Sequence, residues 1–235
     1  MNEMQSTGSA LVVYSTISAK EALIDLVPRF EQQSQSKINI TYTPAPTLIK
    51  QIRAGTRGDV FIGPEEYAGP LFEEGILLTG SRVPFARSAT GLAVRAGTLP
   101  PDISTPAKLK SALLAARGVS FSEGASGMMF VKVLSEFGIA DAIRAKFVAP
   151  QPGEMIGSVV ARGAADIGIQ QISALLPVAG ITIVGRLPDE LQEPIIYGTH
   201  LFAQSAQQDL AQPFVNFLRS ATAIAVLTKS GFEPA

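Results

Sequence analysis

Between Leu11 and Leu77 the chain switches back and forth between two hydrophobic periods, and that alternation restricts the folds open to it. LVVY (11–14) is an unbroken apolar run of strand type, whereas 18–33 carries Ala22, Leu23, Leu26 and Phe30 at helical spacing. KINITY (37–42) alternates as a half-buried strand does. The rigid turn TPAPT leads into a helix from Thr47 to about Ala54. GDVFIG is a short apolar strand between glycines, and PEEYAGPLFEEGIL is a helix that stops at Gly75. The order β-α-β-α-β-α predicts parallel strands with helices on the faces of their sheet.

SRVPFARSATGLAVRAG breaks this rhythm and reads as one long extended segment. A second α/β set follows: TPAKLKSALLAA, SGMMFVKVLSEFG and GEMIGSVVARG as helices, with GVSFS, AKFVAP, ADIGIQQ and ITIVGRL as strands and ISALLPV as a short helix. EPIIYGTHLFAQ is extended again, and two helices close the chain. The fold class predicted is α/β in two lobes, each a mostly parallel sheet flanked by helices. Residues 1–84 and 198–235 are assigned to one lobe and 85–197 to the other. Two extended crossovers form a hinge, with a ligand cleft between the lobes. In open α/β sheets ligands sit beyond the carboxyl ends of the strands.

Composition narrows the function. A net charge of −1 gives no electrostatic reason to expect nucleic acid or an anionic membrane surface. No apolar run approaches the ~20 residues of a membrane span. The opening MNEMQSTGSA is polar and has no h-region. With no cysteine there is no disulfide, no thiolate nucleophile and no Cys-based metal site. No metal-binding motif, Walker loop or G-x-S-x-G elbow occurs, and no cofactor or metal is expected.

The remaining signals cluster where strands hand over to helices. Ser15, Thr16 and Ser18 end the first strand, and Ser18 with Glu21 fits a capping box. Thr47 is placed to cap the second helix. Glycines around Ser126 let backbone amides approach a ligand. Gln170 and Gln171 end an apolar strand, so only one of them faces the cleft. Free amides and the dipole at a helix N-terminus favour an anion. Arg87 is the cation to consider for a ligand carboxylate, a surface charge being an equal reading. Glu65–Glu66 and Glu73–Glu74 read as solvated helix faces.

Four stretches, VVYSTISAKEALIDLVPRFEQQS, LIKQIRAGTRGDVFIGPEE, ARGAADIGIQQISA and FVNFLRSATAIAVLTKSGFEP, resemble the periplasmic molybdate-binding protein family of ABC importers. The resemblance runs from Leu11 to Pro234. It implies the type II periplasmic-binding-protein fold, a periplasmic location, a small anionic ligand, importer membrane subunits as partners and a monomer. Residue by residue, the family's first hydroxyl matches Ser18, its lobe-two contact matches Ser126–Gly127, and a backbone contact falls near Gly153 and Glu154. The family's second serine element is PAP here, leaving Thr47, and its pocket tyrosine is replaced by Gln171. The chain also resembles bacterial aconitate isomerases, which shift a proton allylically on the same fold. For an isomerase the candidate proton carriers are Glu123, Glu154 and His200, and the cradle Ser18, Thr47, Arg87, Ser126 and Gln171. The two readings stand side by side: a solute binder for an oxyanion or carboxylate, and an isomerase.

Overall fold

The computed structural model describes residues 10–151 and 153–235, so the polar opening segment lies outside the described residues. Two compact units emerge: Met1–Phe85 with Tyr197–Leu227, and Ala86–Ile196 with Thr228–Ala235.

In the first unit β1 (Leu11–Thr16), β2 (Ile38–Thr43) and β3 (Val60–Pro64) alternate with α1 (Lys20–Ser34), α2 (Ala45–Arg53) and α3 (Glu65–Glu73). β1 lies between β2 and β3 and runs parallel to both. α1 buries Ala22, Leu23, Leu26, Val27 and Phe30, the face the periodicity predicts, and ends where Gln35 turns left-handed at φ 55°. α2 begins earlier than predicted: Pro44 stands at its N-cap and Pro46 in its first turn. A proline ring has no amide proton to lose there, so the two prolines start the helix. Leu48, Ile49, Ile52, Phe61, Leu71 and Phe202 make the core between α2, α3 and the sheet.

The long extended segment is two strands, β4 (Val83–Ser88) and β5 (Thr90–Arg95). In the second unit α4 (Pro106–Ala115), β6 (Val119–Phe121), α5 (Ala125–Glu136), α6 (Ala140–Arg144), α7 (Ile156–Ala161), β7 (Ile167–Gln171), α8 (Ile172–Leu175) and β8 (Ile181–Arg186) follow. The sheet order is β6-β7-β5-β8. Leu92, Val94, Ile167 and Ile169 of the sheet pack against Leu109, Leu113, Phe130 and Val133 of the helices. AKFVAP, predicted as a strand, contributes a single bridge from Phe147 to Val119. Phe147 instead packs on Phe121, with ring centroids 4.6 Å apart.

β9 (Ile195–Leu201) returns to the first unit, where α9 (Gln208–Phe217) and most of α10 (Ala221–Lys229) also lie. β10 (Glu233–Pro234) pairs with Arg87 and Ala86 of β4. Parallel pairing is narrower than predicted. It joins β1 to β2 and β3, and β6 to β7. β9 meets β3 antiparallel, and β5 meets both β7 and β8 antiparallel. Parallel neighbours need a helical crossover. β5 and β9 instead enter their sheets along the extended segments, without one. Among the described residues no single helix is long and apolar enough to cross a membrane.

Candidate functional site

In the first unit the polar residues gather at the carboxyl ends of β1 and β3. Ser15 and Thr16 close β1 with almost no exposure. The Ser15 hydroxyl donates to the Thr16 carbonyl at 3.1 Å. The Thr16 Oγ1 is buried with no hydrogen-bond partner, beside Gly63, where an added Cβ would come within 2.9 Å of Thr16 Cγ2. Ser18 does not cap α1. A 3-10 turn, Ile17–Ala19, separates β1 from the helix, and the α1 N-cap is Ala19, with no side-chain bond. The Ser18 hydroxyl is instead hydrogen-bonded to the phenol of Tyr197, which stands opposite Pro64 on β9. Burial raises the Tyr197 phenol well above its ordinary range, the Ser18 hydrogen bond pulls it back, and Glu66 and Tyr67 raise it further. Tyr67, in the first turn of α3, has a buried hydroxyl without a partner and is pushed up to about 12, chiefly by burial. Thr47 is exposed and lies inside the first turn of α2, not at its cap.

Glu65 departs from the solvated face expected of it. Its carboxylate is 9% exposed and pairs with Arg82 Nε at 2.6 Å. It lies against Gly198, where any Cβ would overlap Glu65 Oε1, and 3.7 Å from His200 Nε2. Burial holds its pKa above the ordinary carboxylate value, against the pull of Arg82. His200 has no exposed surface and packs between Phe61 and Phe72, at ring-centroid distances of 5.6 and 5.4 Å. Burial, with Arg82 adding to it, lowers its pKa to about 3. His200 is thus a neutral core side chain at ordinary pH. Glu66, Glu73 and Glu74 are exposed, as expected.

In the second unit the parallel strands β6 and β7 end side by side, with Phe121 in register with Ile169. The turn after β6 enters α5 through Gly124. Ser126 is fully buried and its hydroxyl lies 3.2 Å from that of Ser122. Gly127 has no room for a side chain, because a Cβ would overlap the Ser122 carbonyl. At the end of β7, Gln171 faces Thr90 across the sheet and Gln170 faces Gly91. Both glutamines are buried, and Gln170 Oε1 and Thr90 Oγ1 lack hydrogen-bond partners. Strand alternation puts Gln171 on the side of Ile167 and Ile169, which pack with α5. Ser126, Gly127 and Gln171 thus share one end of this unit.

Arg87 points elsewhere: its guanidinium is tied to Glu233 on β10 at 3.3 Å. Arg186 meets the same carboxylate at 3.4 Å and Asp189 at 3.0 Å. Gly153 is exposed with φ +78°, ahead of the short α7. Glu154 is engaged by Arg162 at 2.9 Å and accepts the Gln151 amide, which lowers its pKa. Glu123 is exposed in the turn beside Ser122. Among the described residues no group of three His, Cys, Asp or Glu side chains is placed to hold a metal ion. Sequence reasoning missed Tyr197, Tyr67 and Glu65. The available signal for Glu65 was Gly198, a glycine inside a strand, which marks close approach of another group.

Two sheets flanked by helices, with hydroxyls, amides and a tight glycine turn at the carboxyl ends of their strands, define a class of ligand-binding α/β protein. The chain belongs to the family of bacterial extracellular solute-binding proteins, which it matches over residues 11–233. It is 29% identical over 234 residues to the aconitate isomerase of a Pseudomonas species, a match covering 96% of this chain and 88% of that one. It is 24% identical over 213 residues to the molybdate-binding protein ModA of Azotobacter vinelandii, covering 88% and 83%. The solved periplasmic molybdate-binding protein of Azotobacter vinelandii superposes with a TM-score of 0.77 at 22% identity, over 94% of this chain and 98% of that one. The substrate-binding domain of a molybdenum ABC transporter from Clostridium difficile gives 0.74 at 21%, over 96% and 99%. The fold is that of type II periplasmic binding proteins, and both resemblances carried by the sequence recur in these relatives.

Proposed function

We propose that this chain binds a small anion, an organic carboxylate in preference to molybdate, through the donors at the ends of its strands. The observation that carries the reading is the kind of donor at the strand ends. In the first unit these are the Thr16, Ser18 and Tyr67 hydroxyls, and in the second Ser122, Ser126, Thr90 and Gln171. Arg82 is already matched by Glu65 and Arg87 by Glu233. In this reading the anion is held mainly by neutral dipoles and backbone amides. Thr47 and the turn at Gly153 belong to the proposal as exposed contacts, and Ser15 as the buried support of Thr16. The preference for carboxylate rests on the PAP sequence, which offers no hydroxyl, and on Gln171, an amide where the molybdate binders carry a phenol. The proposal further places the protein outside the cytoplasmic membrane, as a monomer that passes its ligand to importer membrane subunits.

Titration calorimetry tests the reading. Trans-aconitate, cis-aconitate and molybdate are each titrated into the wild type and into Ser18→Ala and Ser126→Ala. Affinity for a carboxylate that falls roughly tenfold in a variant supports that hydroxyl as a ligand contact, a loss of about 1.4 kcal/mol. Unchanged affinity in either variant removes that hydroxyl from the proposed site.

Similarity to an aconitate isomerase over nearly the whole chain favours a second reading, in which the bound acid is also isomerised. One methylene proton leaves, the double bond moves, and a proton returns to the former vinyl carbon. With His200 sealed in the core and Glu154 tied to Arg162, Glu123 is the proposed proton carrier. Following cis-aconitate by proton NMR decides it: growth of trans-aconitate signals that is lost in Glu123→Gln supports catalysis, and an unchanged spectrum leaves a binder.

A further inference from the structure

The second unit has a cavity of about 390 Å³ at the opposite end of its sheet from Gln171. Val94 and Ile167, the last residues of the β5–β7 ladder, form its buried floor. Gln171 is four residues further along β7, about 13 Å away. Ala112 and Ala115 of α4 make one wall, and Leu99 and Pro101 another. Leu99 is 90% exposed. Its loop is set by the turn in which the Thr98 amide donates to the Arg95 carbonyl, with Gly97 at φ +81°. An isolated leucine held out in water beside a cavity gains free energy from any apolar body that covers it.

The rim carries charge of one sign in excess. Arg117 is spent, held by Asp166 through Nη2 at 2.8 Å and Nε at 3.1 Å, and that pairing lowers the Asp166 pKa. Arg95 has no carboxylate within ion-pair distance among the described residues. Its Nη1 lies over Gly163, 3.5 Å from where a Cβ would stand, at the edge of the cavity. A pocket of this volume, lined by Val94, Leu99, Ala112, Ala115 and Ile167 on one part and by Thr98, Arg117 and Asp166 on another, with one unmatched cation at its lip, suits a small molecule with an apolar body and a carboxylate head. That is a different ligand from the polar anion of the strand ends.

We propose that this cavity is a second ligand site, for an amphipathic carboxylate, with Arg95 holding the head and Leu99, Ala112 and Ala115 the body. The proposal is independent of the function assigned to the strand ends.

Calorimetry with decanoate and with decyltrimethylammonium, each below its micelle concentration, tests it on the wild type, Arg95→Glu and Ala115→Leu. Arg95 and Ala115 are exposed, so both variants fold. Decanoate binds the wild type, weakens about tenfold in Arg95→Glu, and weakens again where Ala115→Leu fills the wall, whereas the cation gains affinity in Arg95→Glu. No decanoate binding, or equal binding by all three proteins, overturns the proposal.

Discussion

Thr16, Ser18 and His200 show how a side chain's partner decides its role more firmly than its type does. The Ser18 hydroxyl bonds a buried phenol, so Ser18→Ala leaves Tyr197 without that partner. The expected loss is about 1–3 kcal/mol in urea unfolding. A smaller loss would mean that the phenol finds another acceptor or donor. Thr16→Val removes a buried hydroxyl that has no partner in the free protein. Its stability should stay level or rise by up to about 1 kcal/mol while ligand affinity falls, and a drop in stability would reveal a protein partner. His200 has a directional effect on pH. Unfolded, it takes a proton near its ordinary 6.5; folded, it holds off until about 3. The unfolded chain therefore binds more protons between those values, and stability falls as pH is lowered through that window. The slope from one such group is up to about 1.4 kcal/mol per pH unit. Glu65 acts in the opposite sense, because its raised pKa favours the folded state below the ordinary carboxylate value and that benefit is lost as pH rises. His200→Gln should flatten the acid limb of stability against pH, and Glu65→Gln should be at least as stable as the wild type at pH 7. An unaltered acid limb in His200→Gln contradicts the buried-neutral assignment.

At the scale of elements, apolar periodicity made most helices and strands legible, because burial on one face leaves a repeating mark. Handover points were less legible. S-x-x-E at Ser18 has the residues of a capping box, but the chain inserts a 3-10 turn first and Ser18 falls inside it. TPAPT reads as a turn ending at Thr47, yet proline is well suited to a first helical turn and α2 starts at Ala45. The polar residues proposed for the site at the ends of β6 and β7 stood out in the sequence because they close apolar strands. Tyr197 was not, since a tyrosine within IIYG looks like any strand aromatic, and only the β3–β9 pairing brings it beside the end of β1. The tightest element is the start of α5. Gly127→Ala would drive a methyl group into the Ser122 carbonyl, so the turn or the helix must shift. The expected cost exceeds about 2 kcal/mol, with weakened anion binding, since the same turn presents Ser126. Wild-type stability in this variant would show that the turn moves freely.

At the scale of the whole chain, α/β alternation followed by extended crossovers was enough to anticipate the class of fold. Antiparallel entry of β5 and β9 was not, because pairing partners are set by tertiary neighbours that leave no local pattern. What the ligand is depends on a handful of donors. Molybdate and a tricarboxylate ask for different numbers and spacings of them, which composition does not encode. The central claim is that these donors hold a small organic carboxylate. Thermal unfolding in the presence of trans-aconitate, molybdate, sulfate and an uncharged sugar tests it most directly. A ligand at ~1,000 times its Kd adds about 4 kcal/mol, a rise on the order of ten degrees in a chain of this length. The account predicts that rise with trans-aconitate and little with the others; a rise with molybdate alone, or with the sugar and no anion, would contradict it.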